Sequence, residues 1–311
     1  MLTDALITSA QYLATIVPIM VAGIVIAELL IEMGWVQKIG FIVLPLTRFA
    51  HLRDECGVSF LTAFASPAAA NTMLVKLYDS DRIDKRELMI ASITNSFPAI
   101  VMHWRTLVPV LVPLLGMTGM IYILILTFVG VVKTMVVLFV GHFTLEAKPD
   151  VALTAVRKTQ PPFSIALKNS LHSSKKTLYR ILLVTIPTTI VVFILIDMGI
   201  FDKLSIYLEA VAPYLPIPAA GLPIIVAQFA SKIAAYTVAG NLMAQSVLGT
   251  RDIIITMLIG KVLSSVMELR ILMPYYLGIF GPGLGLRIMM ISTLLRSGIL
   301  VAVIAVLIVV W

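Results

Sequence analysis

The sequence predicts an all-α polytopic membrane protein built from two repeats of inverted topology. Hydrophobic residues make up 60% of the chain, charged residues only 13%, and the mean hydropathy is +1.05. Several apolar runs reach the roughly 20 residues that a helix needs to cross a bilayer. The second half also repeats the first at a constant spacing of 165 residues. Duplicated halves in a membrane chain are typical of a solute pathway built where two repeats meet.

The repeat is carried by short identical motifs that need no gap. Phe64-Ala65-Ser66 recurs as Phe229-Ala230-Ser231. Other identical positions at the same spacing are Gly34 and Gly199, Lys38 and Lys203, Arg86 and Arg251, Arg105 and Arg270, Pro109 and Pro274, and Gly116 and Gly281. The match therefore extends over most of each half.

Each half divides into a helix, an interfacial helix, a re-entrant hairpin, a broken helix and a final helix. The predicted segments of the first half are 7–33, 36–53, 55–78, 87–115 and 118–143; those of the second half are 180–199, 201–217, 221–247, 252–280 and 284–311. The domains are then 1–145, a basic linker at 146–180, and 181–311. The positive-inside rule places this linker in the cytoplasm.

Lysine and arginine counts separate two topologies. If 55–78 and 221–247 enter the membrane and return, each half crosses three times and the halves are inverted. If they cross it, each half crosses four times and the halves are parallel. With the linker inside, the inverted model places 15 basic residues inside and 2 outside, and the parallel model places 12 and 5. Charge asymmetry favours the inverted model, with both termini outside.

This order of segments resembles a known family. Residues 31–34 with 63–74, and their copies 196–199 with 228–242, are similar to two copies of the Gate, or nucleoside-recognition, domain. That domain occurs in spore maturation proteins, in the membrane part of ferrous-iron transporters and in the core of concentrative nucleoside transporters. The resemblance implies re-entrant hairpins and transport. Because Ser66-Pro67 and Ser231-Lys232 replace Gln/Glu-rich hairpin tips, it implies nucleosides as cargo less directly.

Polar residues concentrate at the two hairpin tips and the two helix breaks. Interrupted membrane helices expose backbone groups that bind ions and small polar solutes. The predicted solute-binding residues are Ser66, Asn71, Thr94, Asn95, Ser96, Ser231, Lys232, Tyr236, Thr237, Lys261, Ser264 and Ser265. The alternative for each hydroxyl is that it bonds the carbonyl of its own helix one turn earlier.

Lys232 and Lys261 are the most informative of these residues. A lysine at membrane depth costs a few kcal/mol and needs a partner or a purpose. Their first-half counterparts are Pro67 and Ser96, so the positive charge is confined to the second half. One hypothesis is an anionic or carbonyl-rich solute held between them. The other is that they extend to water or pair with Glu268.

Five further residues are candidates for a coupling or structural charge: Glu28, His103, Arg105, Glu268 and Arg270. The two arginines each precede a proline shared by both halves, which favours bonds to carbonyls freed by that proline. Glu28 and Glu268 are the candidates for a carboxylate that couples transport to H⁺ or Na⁺.

The favoured function is an elevator-like secondary transporter of a small polar, anionic or nucleoside-like solute in the cytoplasmic membrane. The alternatives are a membrane enzyme acting on lipid head groups and a non-transporting subunit of a complex. The sequence predicts no enzyme activity, no metal site, no cofactor and no nucleic-acid partner, because it lacks zinc spacings, phosphate-binding glycine loops and nucleophile motifs. The partners would be the bilayer and the solute, with homo-oligomers left open.

Overall fold

The computed structural model describes residues 40–146 except Ala65, 162–198 and 215–311, together with 6–11, 13–15, 17, 18, 21, 22, 25 and 29. Within these residues the chain is helical, with short connections and no strand. The helices from residue 40 onward are α1 Gly40–Phe49, α2 Asp54–Ala63, α3 Pro67–Asp79, α4 Lys85–Thr94, α5 Ser96–Thr144, α6 Phe163–Asp197, α7 Leu222–Ala230, α8 Lys232–Ala244, α9 Thr250–Leu263 and α10 Ser265–Val310. A short 3₁₀ turn, Ala219–Gly221, precedes α7.

The segments 55–78 and 221–247 are each broken in the middle, as the sequence predicts. Ser66 caps α3 by accepting a hydrogen bond from the Ala69 amide at 3.2 Å, and Ser231 caps α8 in the same way through Ala234. A side-chain cap of this kind stabilises a helix start by about 1 kcal/mol. The Ser59 hydroxyl donates to the Ala70 carbonyl across the first break at 2.9 Å. The paired helices pack together in both halves, α2 on α3 and α7 on α8.

The long helices α5 and α10 each contain a chain reversal at a glycine. Gly116 has φ 56° and ψ −132°, and Gly281 has φ 75° and ψ 169°. These backbone conformations are open to glycine and strained for other residues. After the first reversal the chain packs against itself, since Trp104 Nε1 donates to Thr127 Oγ1 at 2.8 Å. The predicted separate segments 87–115 and 118–143 are therefore two helices side by side.

The broken helices lie where the sequence predicts them, with a shift in the second half. The first break falls at Asn95, between α4 and α5. The second falls at Ser264, between α9 and α10. Gly260, the residue equivalent to Asn95, lies inside α9 and packs against the Gln228 side chain, which leaves no room for a Cβ. The helix thus continues for about one more turn before it is interrupted.

The predicted linker 146–180 is helical in its second part, which the sequence analysis did not anticipate. Helix α6 begins at Phe163 and runs through the predicted boundary at residue 181 to Asp197. Ala166, Ser170 and Ser174 are buried and recur every four residues, so they form one face of the helix. The sequence predicts a linker over this stretch because it is polar and basic.

The two halves pack against each other, and the chain reversal of each half is associated with a different helix of the other half. Thr118, just after the first reversal, shares a hydrogen bond of 2.9 Å with Thr250 at the start of α9. Residues beside the second reversal, Tyr276 and Phe280, belong to the same apolar cluster as Leu88 and Ile90 of α4. Each reversal thus lies near the helix that begins the corresponding segment of the other half.

Two helical stretches of the described residues are long and apolar enough to cross a membrane, Lys85–Thr144 and Leu272–Val310. They contain the predicted segments 87–115 and 118–143 and most of 284–311. The predicted first crossing at 7–33 is described only at scattered positions. The predicted interfacial segment 201–217 lies almost entirely outside the described residues.

Candidate functional site

One carboxylate binds three cations where the second hairpin meets the second broken helix. Glu268 Oε1 lies 2.7 Å from Lys232 Nζ and 2.9 Å from Lys261 Nζ. Glu268 Oε2 lies 2.7 Å from Arg296 Nη2. We call these four residues the charged cluster. Both lysines therefore pair with Glu268, which is one of the two alternatives that the sequence predicts for them.

The local sequence explains why these side chains converge. Lys232 is the first residue of α8 after the Ser231 cap, so it stands at the tip of the second hairpin. Lys261 lies in the last turn of α9 and Glu268 in the first turn of α10, on either side of the break. A cation near a helix C-terminus and an anion near an N-terminus are both favoured by the helix dipoles. The chain turns back at Gly281, so the second part of α10 brings Arg296 close to the other three residues.

The charged cluster has more positive than negative charge. One carboxylate offsets one of the three cations, which leaves a net charge of +2 among these four residues. The Lys261 side chain is 14% exposed and that of Glu268 12%, whereas the Lys232 side chain is 53% exposed. Lys232 therefore lies at the edge of the cluster that solvent can reach. This arrangement can accept an anionic group without moving the buried members.

Lys133 is a further cation in the interior. Its side chain is 3% exposed, and its Nζ donates to Ser96 Oγ and Ser292 Oγ, each at 2.7 Å. Ser96 belongs to the first broken helix and Ser292 to the last helix of the second half. Arg296 lies within electrostatic range of this ammonium. The charged cluster and Lys133 are thus neighbouring parts of one positive region.

Amide side chains form a second polar cluster beside the first hairpin. Asn95 Nδ2 donates to Ser59 Oγ at 2.9 Å and to Asn71 Oδ1 at 3.0 Å. Asn71 Nδ2 donates to the Tyr275 hydroxyl of the other half at 3.0 Å. We call Ser59, Asn71, Asn95 and Tyr275 the asparagine cluster. Asn95 Oδ1 is buried and accepts no hydrogen bond from the described residues.

Several predicted hydroxyls satisfy carbonyls of their own helices. Thr94 bonds Ile90 O and Thr237 bonds Ile233 O, while Ser264 and Ser265 bond carbonyls three residues earlier. Ser96 donates to Ile93 O and also accepts from Lys133. Of the predicted set, Ser66 and Ser231 form caps. The buried Tyr236 packs edge-on against Tyr122, with ring centroids 6.4 Å apart.

The structure describes only some of the other charged residues that the sequence predicts as candidates. His103 is solvent-exposed and within electrostatic range of Lys232, Lys261, Arg105 and Glu268. Arg105 is half-buried on the same helix. Glu28 lies outside the described residues, as does the side chain of Arg270.

Sequence reasoning missed five residues of these clusters: Ser59, Lys133, Tyr275, Ser292 and Arg296. A signal existed for two of them, because Lys133 and Arg296 are charges within the predicted apolar segments 118–143 and 284–311. Ionisable residues inside such segments are functional candidates by default.

Relatives of this chain have been found by comparison with known proteins. The uncharacterized protein MJ1556 of Methanocaldococcus jannaschii is 35% identical over 283 residues, which cover 90% of this chain and 89% of that protein. The uncharacterized proteins MJ0871 and MJ0880 of the same organism are each 25% identical, over 294 and 286 residues that cover at least 90% of both chains. No family model and no solved structure matches the chain.

Proposed function

We propose that this chain, which belongs to the family of the uncharacterized protein MJ1556 of Methanocaldococcus jannaschii, is a secondary membrane transporter for a small solute that carries negative charge. The observation that carries the proposal is the net positive charged cluster at a hairpin tip and a helix break. Interrupted helices beside charged side chains are the usual construction of a solute site in transporters of this architecture.

A location in a membrane is supported by the surface of the long helices. Large apolar side chains are exposed along the second part of α5, including Leu124, Phe128, Met135, Phe139 and Phe143. Exposed apolar patches of this extent are unfavourable in water and suited to lipid. The end of α10 repeats the pattern at Val301, Val306, Val309 and Val310.

Inverted topology is supported by the contacts between the halves. From α4 the chain runs to the Gly116 reversal, which lies beside the start of α9. From α9 it runs to the Gly281 reversal, which shares an apolar cluster with α4. In the proposed arrangement the two corresponding segments run in opposite directions, as inverted repeats require. In this arrangement the hairpins α2–α3 and α7–α8 enter from opposite sides and end within the protein.

The residues of the charged cluster have separate tasks in this proposal. Because Lys232 is the outermost cation, it contacts the anionic group of the solute first. To do so, it breaks its ion pair with Glu268. Lys261 and Arg296 keep Glu268 fixed and supply the field that makes the site positive. The asparagine cluster presents amide groups that can bond the uncharged part of the solute. Movement of the hairpins against the outer helices then exposes the site to the other side.

A binding screen followed by uptake tests this function. In purified protein, one member of a panel of small carboxylates, phosphorylated metabolites and nucleotides, with uncharged nucleosides included, should raise the melting temperature. At a concentration of 100 Kd the stabilisation is about 2.7 kcal/mol. Lys232→Ala and Lys261→Ala should each abolish this shift, the first because it removes the contact with the anionic group and the second because it releases Glu268. Lys168→Ala, at an exposed lysine of α6, is the matched control and should leave it unchanged.

Uptake separates transport from binding alone. Proteoliposomes with the natural sequence should accumulate the stabilising solute, and those with Lys261→Ala should resemble empty liposomes. Binding that survives both lysine substitutions would move the site elsewhere. Binding without uptake would reject transport in favour of a subunit that only senses or holds the solute.

A further inference from the structure

Lys133 lies in the interior with no negative partner among the described residues. Its ammonium has three N–H donors, of which two go to the neutral hydroxyls of Ser96 and Ser292. No carboxylate of the described residues forms an ion pair with it, whereas the buried Lys261 and the half-exposed Lys232 both pair with Glu268. Lys133 and the two serines therefore form a polar site whose charge no carboxylate of the described residues compensates.

Burying an unpaired charge is costly, even after the protein relaxes around it. Arg296 adds to the cost, since its positive charge acts on Lys133 while its nearest carboxylate oxygen is taken by Glu268. A counter-charge beside Lys133 would remove most of this penalty. The third N–H of the ammonium is the group that can donate to it, because the Ser96 hydroxyl donates to Ile93 O and the Ser292 hydroxyl is hydrogen-bonded with Tyr276.

We propose that Lys133, held in place by Ser96 and Ser292, binds a compact monovalent anion between the two halves of the protein. The anion must be small because apolar side chains pack closely on the helix one turn before Lys133. Gly130 lies one turn before Lys133, and a Cβ there would meet Ile100 Cδ1 at 2.7 Å and Phe97 Cδ2 at 3.5 Å. Chloride fits this description, and so does the carboxylate group of a small acid. The site adjoins the charged cluster but uses none of its four side chains as a ligand, and it does not depend on the proposed function.

Anion-dependent thermal stability tests the site without any transported solute. The purified protein is unfolded in sodium chloride and in sodium gluconate of equal ionic strength, with sodium formate as a third condition. Chloride should raise the melting temperature of the natural sequence over gluconate by roughly 2 °C, the shift expected when the anion exceeds its Kd about tenfold. A shift with formate but not chloride would identify the ligand as a carboxylate.

Lys133→Met separates a ligand site from a structural bond. With this variant the chloride shift should vanish, and its stability in gluconate should equal or exceed that of the natural sequence, because an uncompensated charge has been removed. Lys85→Met, at an exposed lysine, should keep the full shift, and so should Lys232→Met.

Three outcomes would overturn the proposal. The first is a natural sequence that melts at the same temperature in all three salts. The second is Lys133→Met being less stable than the natural sequence in gluconate, which would indicate a structural bond. The third is a chloride shift lost with Lys232→Met and kept with Lys133→Met, which would place the anion at the charged cluster. Ser292→Ala, which keeps the lysine, should weaken the shift and provides a second variant if Lys133→Met fails to fold.

Discussion

Glu268→Gln should lower the free energy of unfolding by about 3 kcal/mol, because removing one partner of a buried ion pair leaves the other charges uncompensated. Here three cations, Lys232, Lys261 and Arg296, lose their only shared carboxylate. The figure stands at the lower end of the usual range, since Lys232 is half-exposed and partly screened by water. Thermal unfolding in detergent should show a drop of roughly 5 °C.

Glu55→Gln is the matched control for this substitution. Glu55 pairs with Arg82, whose side chain is 57% exposed, and exposed pairs contribute about 0–1 kcal/mol. The double variant Glu268→Gln with Lys261→Gln should recover part of the lost stability, because it also removes one of the repelling cations. Equal effects of Glu268→Gln and Glu55→Gln would show that the charged cluster is not an interior ion-pair network.

Gly285→Ala should destabilise the protein by about 2 kcal/mol. Gly285 lies in the helix that follows the Gly281 reversal, and a Cβ there would collide with the Tyr276 carbonyl, whose carbon would be only 2.8 Å away. The clash is with backbone, so a rotamer change cannot relieve it and the two antiparallel helices must separate. Overpacking costs about 1–3 kcal/mol or more, which outweighs the roughly 1 kcal/mol that alanine gains in helix propensity.

Gly283→Ala, two residues earlier, tests the same helix without the collision. Nothing lies within 4 Å of a Cβ at Gly283, so this variant should be neutral or slightly stabilising through helix propensity. Melting curves of the two variants give the comparison. A Gly285→Ala protein as stable as Gly283→Ala would contradict the close approach of the helices at the second reversal.

Features that depend on local backbone chemistry were predictable from sequence. Ser66 and Ser231 are good helix caps followed by helix-starting sequences, and both breaks occur there. Gly116 and Gly281 stand at equivalent places, and both adopt positive φ where the chain reverses. Each of these signals lies within a few residues, so the sequence contains it without knowledge of the fold.

Partners that lie far apart in the chain were not predictable in the same way. Asn71 bonds Tyr275 of the other half, and Lys133 bonds Ser292. Nothing in the local pattern of either residue specifies such a partner, because the contacts arise from how the halves pack. Pairing of the lysines with Glu268 was foreseen as an alternative, but Arg296, the third cation, enters only because the chain reverses at Gly281.

Inverted repeats require that the two halves cross the membrane in opposite directions, with an odd number of crossings in each half. Cysteine accessibility measures this directly, after the single native cysteine, the buried Cys56, is replaced by alanine. Single cysteines at Thr3 and at Ser173 are then labelled in sealed cells with a reagent that does not cross the membrane. The expected result is labelling at Thr3 but not at Ser173, with both positions labelled after the cells are opened. Labelling at Ser173 alone would keep the inverted repeats and reverse their orientation. Labelling of both positions or of neither in sealed cells would contradict the inverted repeats.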